Sequence, residues 1–372
     1  MATKRAKLTW RNSITFLYLA FCLGFPLGLL VLTIGPAAWM ASYAQKTNMS
    51  LSLESTLGKI IVLLFFIFTI LIALWLTKVV GRIQSKGLRF LIFALPFAAL
   101  VASLFIFSFK PQVMVANTQG IRETQIKGVG KVQFILGSYP DKTHLDQLKH
   151  EGYTAVVSLL HEMVIPAEPV LIEEEEENAK QAGIKIIRIP LLPWVSGNED
   201  AIQKIKDLAV NGKGKYYVHC YLGRDRVNVF KTIVKSQAAE AIEANTSLVK
   251  TRSLDDLTQF ERGPIIKLAE GVYLTPYPTE EEMFGFLLNG TYKIVICILD
   301  PKNPSDKTRI EEEMKIFDNY GVKLKNIPIT NPSKKQVQML VDSIKKMERP
   351  LVIHGYRVNN QLATALKEQL SK

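Results

Sequence analysis

The stretch YYVHCYLGRDRVNVF, residues 216 to 230, sets a cysteine six positions before an arginine, with a glycine between them. Its apolar flanks read as a strand ending at His219 and a helix running on from Val227. A strand, a glycine-containing loop and a helix start gather backbone N–H groups around an anion, and the helix adds partial positive charge. The same field favours the thiolate form of a cysteine placed there. Arginine suits the second position because its planar fork holds two phosphoryl oxygens at once, which lysine cannot do. Gly223 admits the tight or left-handed backbone that a close approach to a ligand needs. The chemistry implied is attack of Cys220 on phosphorus, with Arg226 bearing the charge. The competing reading is a buried thiol beside solvent-facing arginines.

The elements that must position this loop lie after residue 110, where short β-branched runs alternate with charged helical stretches. That alternation marks βαβ units around a mainly parallel sheet. Strands are expected at 132–136, 154–160, 185–189 and 215–219, and helices at 141–151, 171–182, 199–210 and from 227. The pattern then repeats: VQFILGSYPDKTHLDQL matches GVYLTPYPTEEEMFGFL, YTAVVSLL matches YKIVICIL, AGIKIIRIPLL matches YGVKLKNIPIT, and KYYVHC matches PLVIHG. The second set gives strands at 272–275, 292–298, 323–328 and 350–354, and helices at 279–289, 306–320, 333–347 and on to about 370. Domains follow at 131–245 and 267–372, with a linker at 111–130 and a connection at 246–266. The five glutamates Glu173 to Glu177 read as a solvated helix face near the positive end of its dipole.

The first 110 residues differ in kind. Residues 14–41, 60–76 and 90–109 carry no charged side chain, and about 20 apolar residues suffice to cross a bilayer core. Three transmembrane helices are therefore expected, the first kinked or ended by Pro26 and Pro36. It is too long for a signal peptide's apolar region. Lys4, Arg5, Lys7, Arg11, Lys78, Arg82, Lys86 and Arg89 fall on one side, against Lys46, Lys59, Lys110, Arg122 and Lys127 on the other. Eight against five places the amino terminus in the cytoplasm and everything after residue 110 outside it. The basic residues behind the net charge of +12 are scattered, and many sit at membrane edges, so anionic lipid is the expected partner and nucleic acid is not. The three cysteines, Cys22, Cys220 and Cys297, offer neither a disulfide framework nor zinc spacing. Cys297 reads as a buried strand residue.

HCYLGRDR resembles the H-C-x-x-G-x-x-R signature of cysteine-dependent protein tyrosine and dual-specificity phosphatases. VVSLL, AGIKIIRIPLL and YYVHC upstream resemble the succession in compact dual-specificity enzymes, over about residues 130 to 245. The resemblance implies an α/β phosphatase fold that uses no metal or other cofactor. Cys220 would form a cysteinyl-phosphate, and Tyr221, Leu222, Gly223, Arg224, Asp225 and Arg226 would form the phosphate-binding loop. His219 would order the loop and help to keep the thiolate, or is a strand histidine with satisfied hydrogen bonds. Rhodanese-like domains also carry a loop cysteine, but their loop before the arginine is usually shorter.

Two positions depart from the family. Val227 stands where a Ser or Thr usually assists the second step, and Pro193 stands where the general-acid aspartate is expected. Glu199 and Asp200 follow later, where they also fit as helix-start carboxylates after Asn198. Asp225 is read two ways, as an acid for the leaving group or as a partner of Arg224 and cap of the next helix. In LVIHGYRVNNQ, His354 aligns with His219, Gly355 takes the nucleophile's place, and no arginine follows at the required spacing. The second copy therefore reads as a pseudophosphatase. The expected activity is hydrolysis of a phosphomonoester at a membrane, on a phospholipid or phosphoinositide or else a phosphoprotein, with Trp194 read first as a simple core or lid residue and otherwise as a contact for an acyl chain or aromatic ring. The rival is a phospho-binding scaffold.

Overall fold

The computed structural model describes residues 10–37, 39–40, 43, 51–109, 124–127, 132–237, 243–244, 251–329 and 333–370. The chain forms two compact units, Met1–Asn117 and Thr118–Lys372.

The first unit holds three long helices, α1 (Trp10–Gly28), α2 (Leu51–Arg82) and α3 (Lys86–Phe109). All three are long and apolar enough to cross a membrane. Leu17, Phe21, Leu64, Trp75, Phe90 and Leu95 each expose more than half of their surface. Helices apolar all round, with large side chains turned outward, suit lipid as the surrounding medium. Pro26 lies inside α1, which passes it and continues as a π-helical turn, Leu29–Ile34, before Gly35. The first apolar run is thus a helix that changes winding after its proline. Inside the unit, Tyr18 donates from its hydroxyl to the Phe93 carbonyl at 3.0 Å, and Phe25 meets Phe107 edge-on.

The second unit is α/β. Its first sheet comprises β1 (Thr124–Lys127), β2 (Val132–Gly137), β3 (Ala155–Ser158), β4 (Ile186–Arg188), β5 (Gly214–His219) and β6 (Glu243–Ala244). The order is β4-β3-β5-β2-β1-β6. β2, β3, β4 and β5 run parallel, whereas β1 pairs antiparallel with both β2 and β6. β1 enters the sheet from within the segment read as a linker. Crossovers are α4 (Lys142–His150), α5 (Ala167–Ala182) and α6 (Glu199–Asn211), and α7 (Asp225–Gln237) follows β5. Phe134, Leu136, Val157 and Val218 are buried between the sheet and α6 and α7, which supply Ile202, Ile205, Phe230 and Ile233.

A second sheet comprises β9 (Ile266–Ala269), β10 (Val272–Thr275), β11 (Ile294–Cys297), β12 (Lys323–Asn326) and β13 (Leu351–His354), in the order β12-β11-β13-β10-β9. Its helices are α8 (Pro304–Tyr320), α9 (Lys334–Lys345) and α10 (Asn360–Leu370). The helix expected over 279–289 is instead one α-helical turn, Glu280–Glu282, followed by a π-helical turn, Met283–Leu287. A capping box between Thr279 and Glu282 starts it, and Asn289 stops it by donating its side-chain amide to the Gly285 and Arg252 carbonyls. The connection holds a 3₁₀ turn (Leu254–Asp256) and a small hairpin of β7 (Gln259–Phe260) and β8 (Gly263–Pro264).

Candidate active site

Cys220 directly follows β5, and Arg226 lies in the first turn of α7. Both are buried. Gly223 has φ +65°, and a Cβ there would come within 2.5 Å of the Gly137 carbonyl carbon and the Ser138 nitrogen. The loop therefore presses on the end of β2 so closely that only glycine fits. Tyr221 accepts a hydrogen bond through its carbonyl from the Tyr139 N–H at 3.3 Å.

Arg226 is oriented by a buried carboxylate that the sequence reading missed. Its Nη1 donates to Glu168 Oε2 at 2.9 Å and to the Leu159 carbonyl at 3.1 Å, and its Nη2 donates to Glu168 Oε1. Burial works against the charge, but hydrogen bonding to Glu168 and attraction to Cys220 and Glu168 outweigh it and hold the guanidinium above its ordinary pKa. Glu168 binds the preceding loop too, accepting from the His161 N–H at 2.8 Å.

His219 is fully buried and hydrogen-bonded. Its Nε2 lies 2.5 Å from Glu175 Oε1, and Ser158 Oγ donates to Glu175 Oε2 at 2.8 Å. Glu175 is thus no part of a solvated face, as the glutamate run implied for it. Glu168, Leu171, Ile172, Glu175 and Ala179 form the buried stripe of α5, while Glu173, Glu176 and Glu177 face outward. That spacing is the available signal, since it puts one glutamate of the five on the apolar face.

Asp225 is engaged. Its carboxylate accepts from Arg224 at 3.0 and 3.2 Å and pairs with Arg252 of the connection at 2.9 Å. Glu199 and Asp200 are exposed in the first turn of α6. Asn198 precedes them without capping that helix. It is buried and turns its side chain into the 192–194 loop, accepting from the Leu192 N–H and donating to the Trp194 carbonyl and to Tyr320 Oη. Tyr320 donates in turn to the Val195 carbonyl, and Ser196 binds Glu280 through both its N–H and its hydroxyl. The loop holding Pro193 and Trp194 is therefore pinned by residues from the second half of the unit. Val227 is fully buried in the core.

In the second sheet, His354 ends β13 as His219 ends β5, and Gly355 follows it where Cys220 stands in the first. A Cβ at Gly355 would meet Ile298 at 3.1 Å. Burial first, and then the Glu313 carboxylate, push the Cys297 thiol up to about 12.

No family model matches the chain, and no curated protein does. Among solved structures, two crystal structures of a candidate phosphatase of the DUF442 group from Shewanella putrefaciens CN-32 are similar at 22% identity and TM-score 0.26. Each likeness covers 33% of this chain, and 73% or 77% of the other. TpbA of P. aeruginosa is similar at 12% identity and TM-score 0.23, over 32% of this chain and 70% of its own. Likenesses of this degree fix neither fold nor activity here, and the reading rests on the geometry of the chain itself.

Proposed function

We propose that this protein is a membrane-anchored, cysteine-dependent phosphatase whose active half spans about residues 131–245. One observation carries the reading: Cys220 and Arg226 stand at the two ends of one tight loop, with the buried guanidinium held by Glu168. In the proposed reaction the Cys220 thiolate attacks phosphorus, the bond to the leaving oxygen breaks, and that oxygen takes a proton. Water then cleaves the sulfur–phosphorus bond, releasing inorganic phosphate and restoring the thiolate. Arg226 and the loop amides of Tyr221 to Arg226 hold the equatorial oxygens. His219, fixed by Glu175, sets the end of β5 from which the loop departs. Asp225 is the proposed proton donor, and it serves only when released from Arg224 and Arg252.

A lipid phosphate is the proposed substrate. Leu222 in the loop exposes 49% of its surface, and Met163 and Ile165, on the loop that Glu168 binds through His161, expose 66% and 78%. Apolar side chains around an anion site suit a phosphate that carries acyl chains. The soluble half is proposed to lie on the non-cytoplasmic side, with the second sheet as a degenerate phosphatase-like copy.

The test is phosphate release from lipid phosphates, phosphoinositides and phosphopeptides by the full-length protein in detergent micelles. Wild type is expected to act on the lipids, Cys220→Ser to be inactive, and Asp225→Asn to be slowed about 10²-fold. Release from peptides alone would replace the lipid by a phosphoprotein. The engaged Asp225 and the buried Val227 favour a second reading, a phospho-binding scaffold. Absence of turnover, with phospho-ligand binding that survives in Cys220→Ser, would establish it.

A further inference from the structure

Cys297, Glu313 and His354 meet beneath α8, and their ligating atoms all lie within 4.8 Å of one another. Cys297 ends β11 and His354 ends β13, paired in register, and Thr275 of β10 is the next residue in the same row. All four side chains are fully buried. Neither oxygen of Glu313, neither ring nitrogen of His354 nor the Thr275 hydroxyl has a hydrogen-bond partner. Buried polar groups left in this way are costly, and native proteins leave few of them.

The first sheet shows how the same positions are satisfied without help. Ser158, Glu175 and His219 occupy the matching places and close into a hydrogen-bonded chain, with contacts of 2.8 and 2.5 Å. In the second sheet a cysteine replaces the serine and the chain opens. His354 Nε2 stands 3.1 Å from Glu313 Oε1, yet outside hydrogen-bonding geometry. Metal–ligand lengths of roughly 2.0–2.3 Å in a tetrahedral site place ligand atoms about 3–4 Å apart, with lone pairs aimed at a common point rather than at each other.

We propose that Cys297, Glu313 and His354 bind a divalent transition-metal ion of the zinc type, as a structural site within the second sheet. Thiolate and imidazole select such an ion over magnesium or calcium. Thiolate, carboxylate and neutral imidazole carry two negative charges, which a divalent cation cancels within a buried space. The thiol proton leaves to solvent as the metal enters, and full burial fits loading during folding. Thr275, next in the same row, adds a buried hydroxyl without a partner. The proposal stands whether or not Cys220 turns over phosphate.

The test is the metal content of the full-length protein, expressed with zinc and purified in detergent without chelator. About one ion per chain is expected in wild type and in Cys220→Ser, and little in Cys297→Ser, which restores the residue of the first sheet. Exchange with cobalt is expected to give a thiolate-to-metal absorption band in wild type and Cys220→Ser that Cys297→Ser lacks. A wild-type protein that takes up neither zinc nor cobalt would overturn the proposal, whatever the variants do. So would a band lost in Cys220→Ser and kept in Cys297→Ser, because the metal would then sit at the other cysteine.

Discussion

Glu168 and Arg226 form a buried pair in which each satisfies the other. Removing one member of such a pair strands the other's charge, at a cost of about 3–5 kcal/mol. Glu168→Gln is expected to lower the midpoint of urea unfolding and to cut phosphate release more than Asp225→Asn does, because the guanidinium loses its fixed orientation. Unchanged kinetics in a folded Glu168→Gln protein would contradict that role. Val227 gives a second prediction at this scale. It is fully buried at the position where the resemblance implies a hydroxyl that assists the departing thiolate, so under the proposed mechanism wild type is expected to show a burst of product followed by slow turnover. Val227→Thr is expected to speed the slow phase while costing about 1–3 kcal/mol for the buried hydroxyl. The spacing of Cys220 and Arg226 could be read locally, because six positions define it and the structure puts both on one loop between β5 and α7. Glu168 was not legible, because it reaches Arg226 from 58 residues away and lies before the helix expected at 171–182, which in the structure begins at Ala167.

The loop from Leu191 to Asn198 shows what one element owes to another. Tyr320, at the end of α8, accepts from Asn198 at 3.0 Å and donates to the Val195 carbonyl at 2.9 Å. Tyr320→Phe removes both bonds, each worth about 1 kcal/mol. Amide hydrogens of 191–198 are then expected to exchange faster while those of β5 do not, and mass spectrometry of deuterated peptides checks this. Elements with a strong period were readable to within a few residues. The 199–210 helix is observed at Glu199–Asn211, and the strand at 272–275 is Val272–Thr275. The failures have local causes. β6, β7 and β8 are two residues long, too short to show alternation, and the helix expected over 279–289 changes from α to π winding after Glu282. Five consecutive glutamates hide the apolar face of α5, because a run of one charged residue type has no period of its own and Glu175 falls in line with Leu171, Ile172 and Ala179.

Across the whole molecule, the apolar helices and the α/β unit make separate demands. Basic residues near the spans favour the amino terminus in the cytoplasm, so a reporter fused after residue 110 is expected to be active outside it. Cytoplasmic reporter activity would reverse the orientation.

The outer strand of the second sheet, β12, reads KLKN, with Lys323 and Lys325 exposed and Leu324 partly covered. Proteins anchored in a bilayer diffuse in two dimensions and meet one another far more often than the same number of molecules in solution. An open strand edge on each would template pairing between neighbours, and lysines blunt that by mutual repulsion. Replacing both with valine should leave the fold intact yet drive clustering in vesicles as surface density rises, visible as energy transfer between labelled chains. Under the proposed anchoring, crowding on a surface is a condition that this sheet edge is built to withstand.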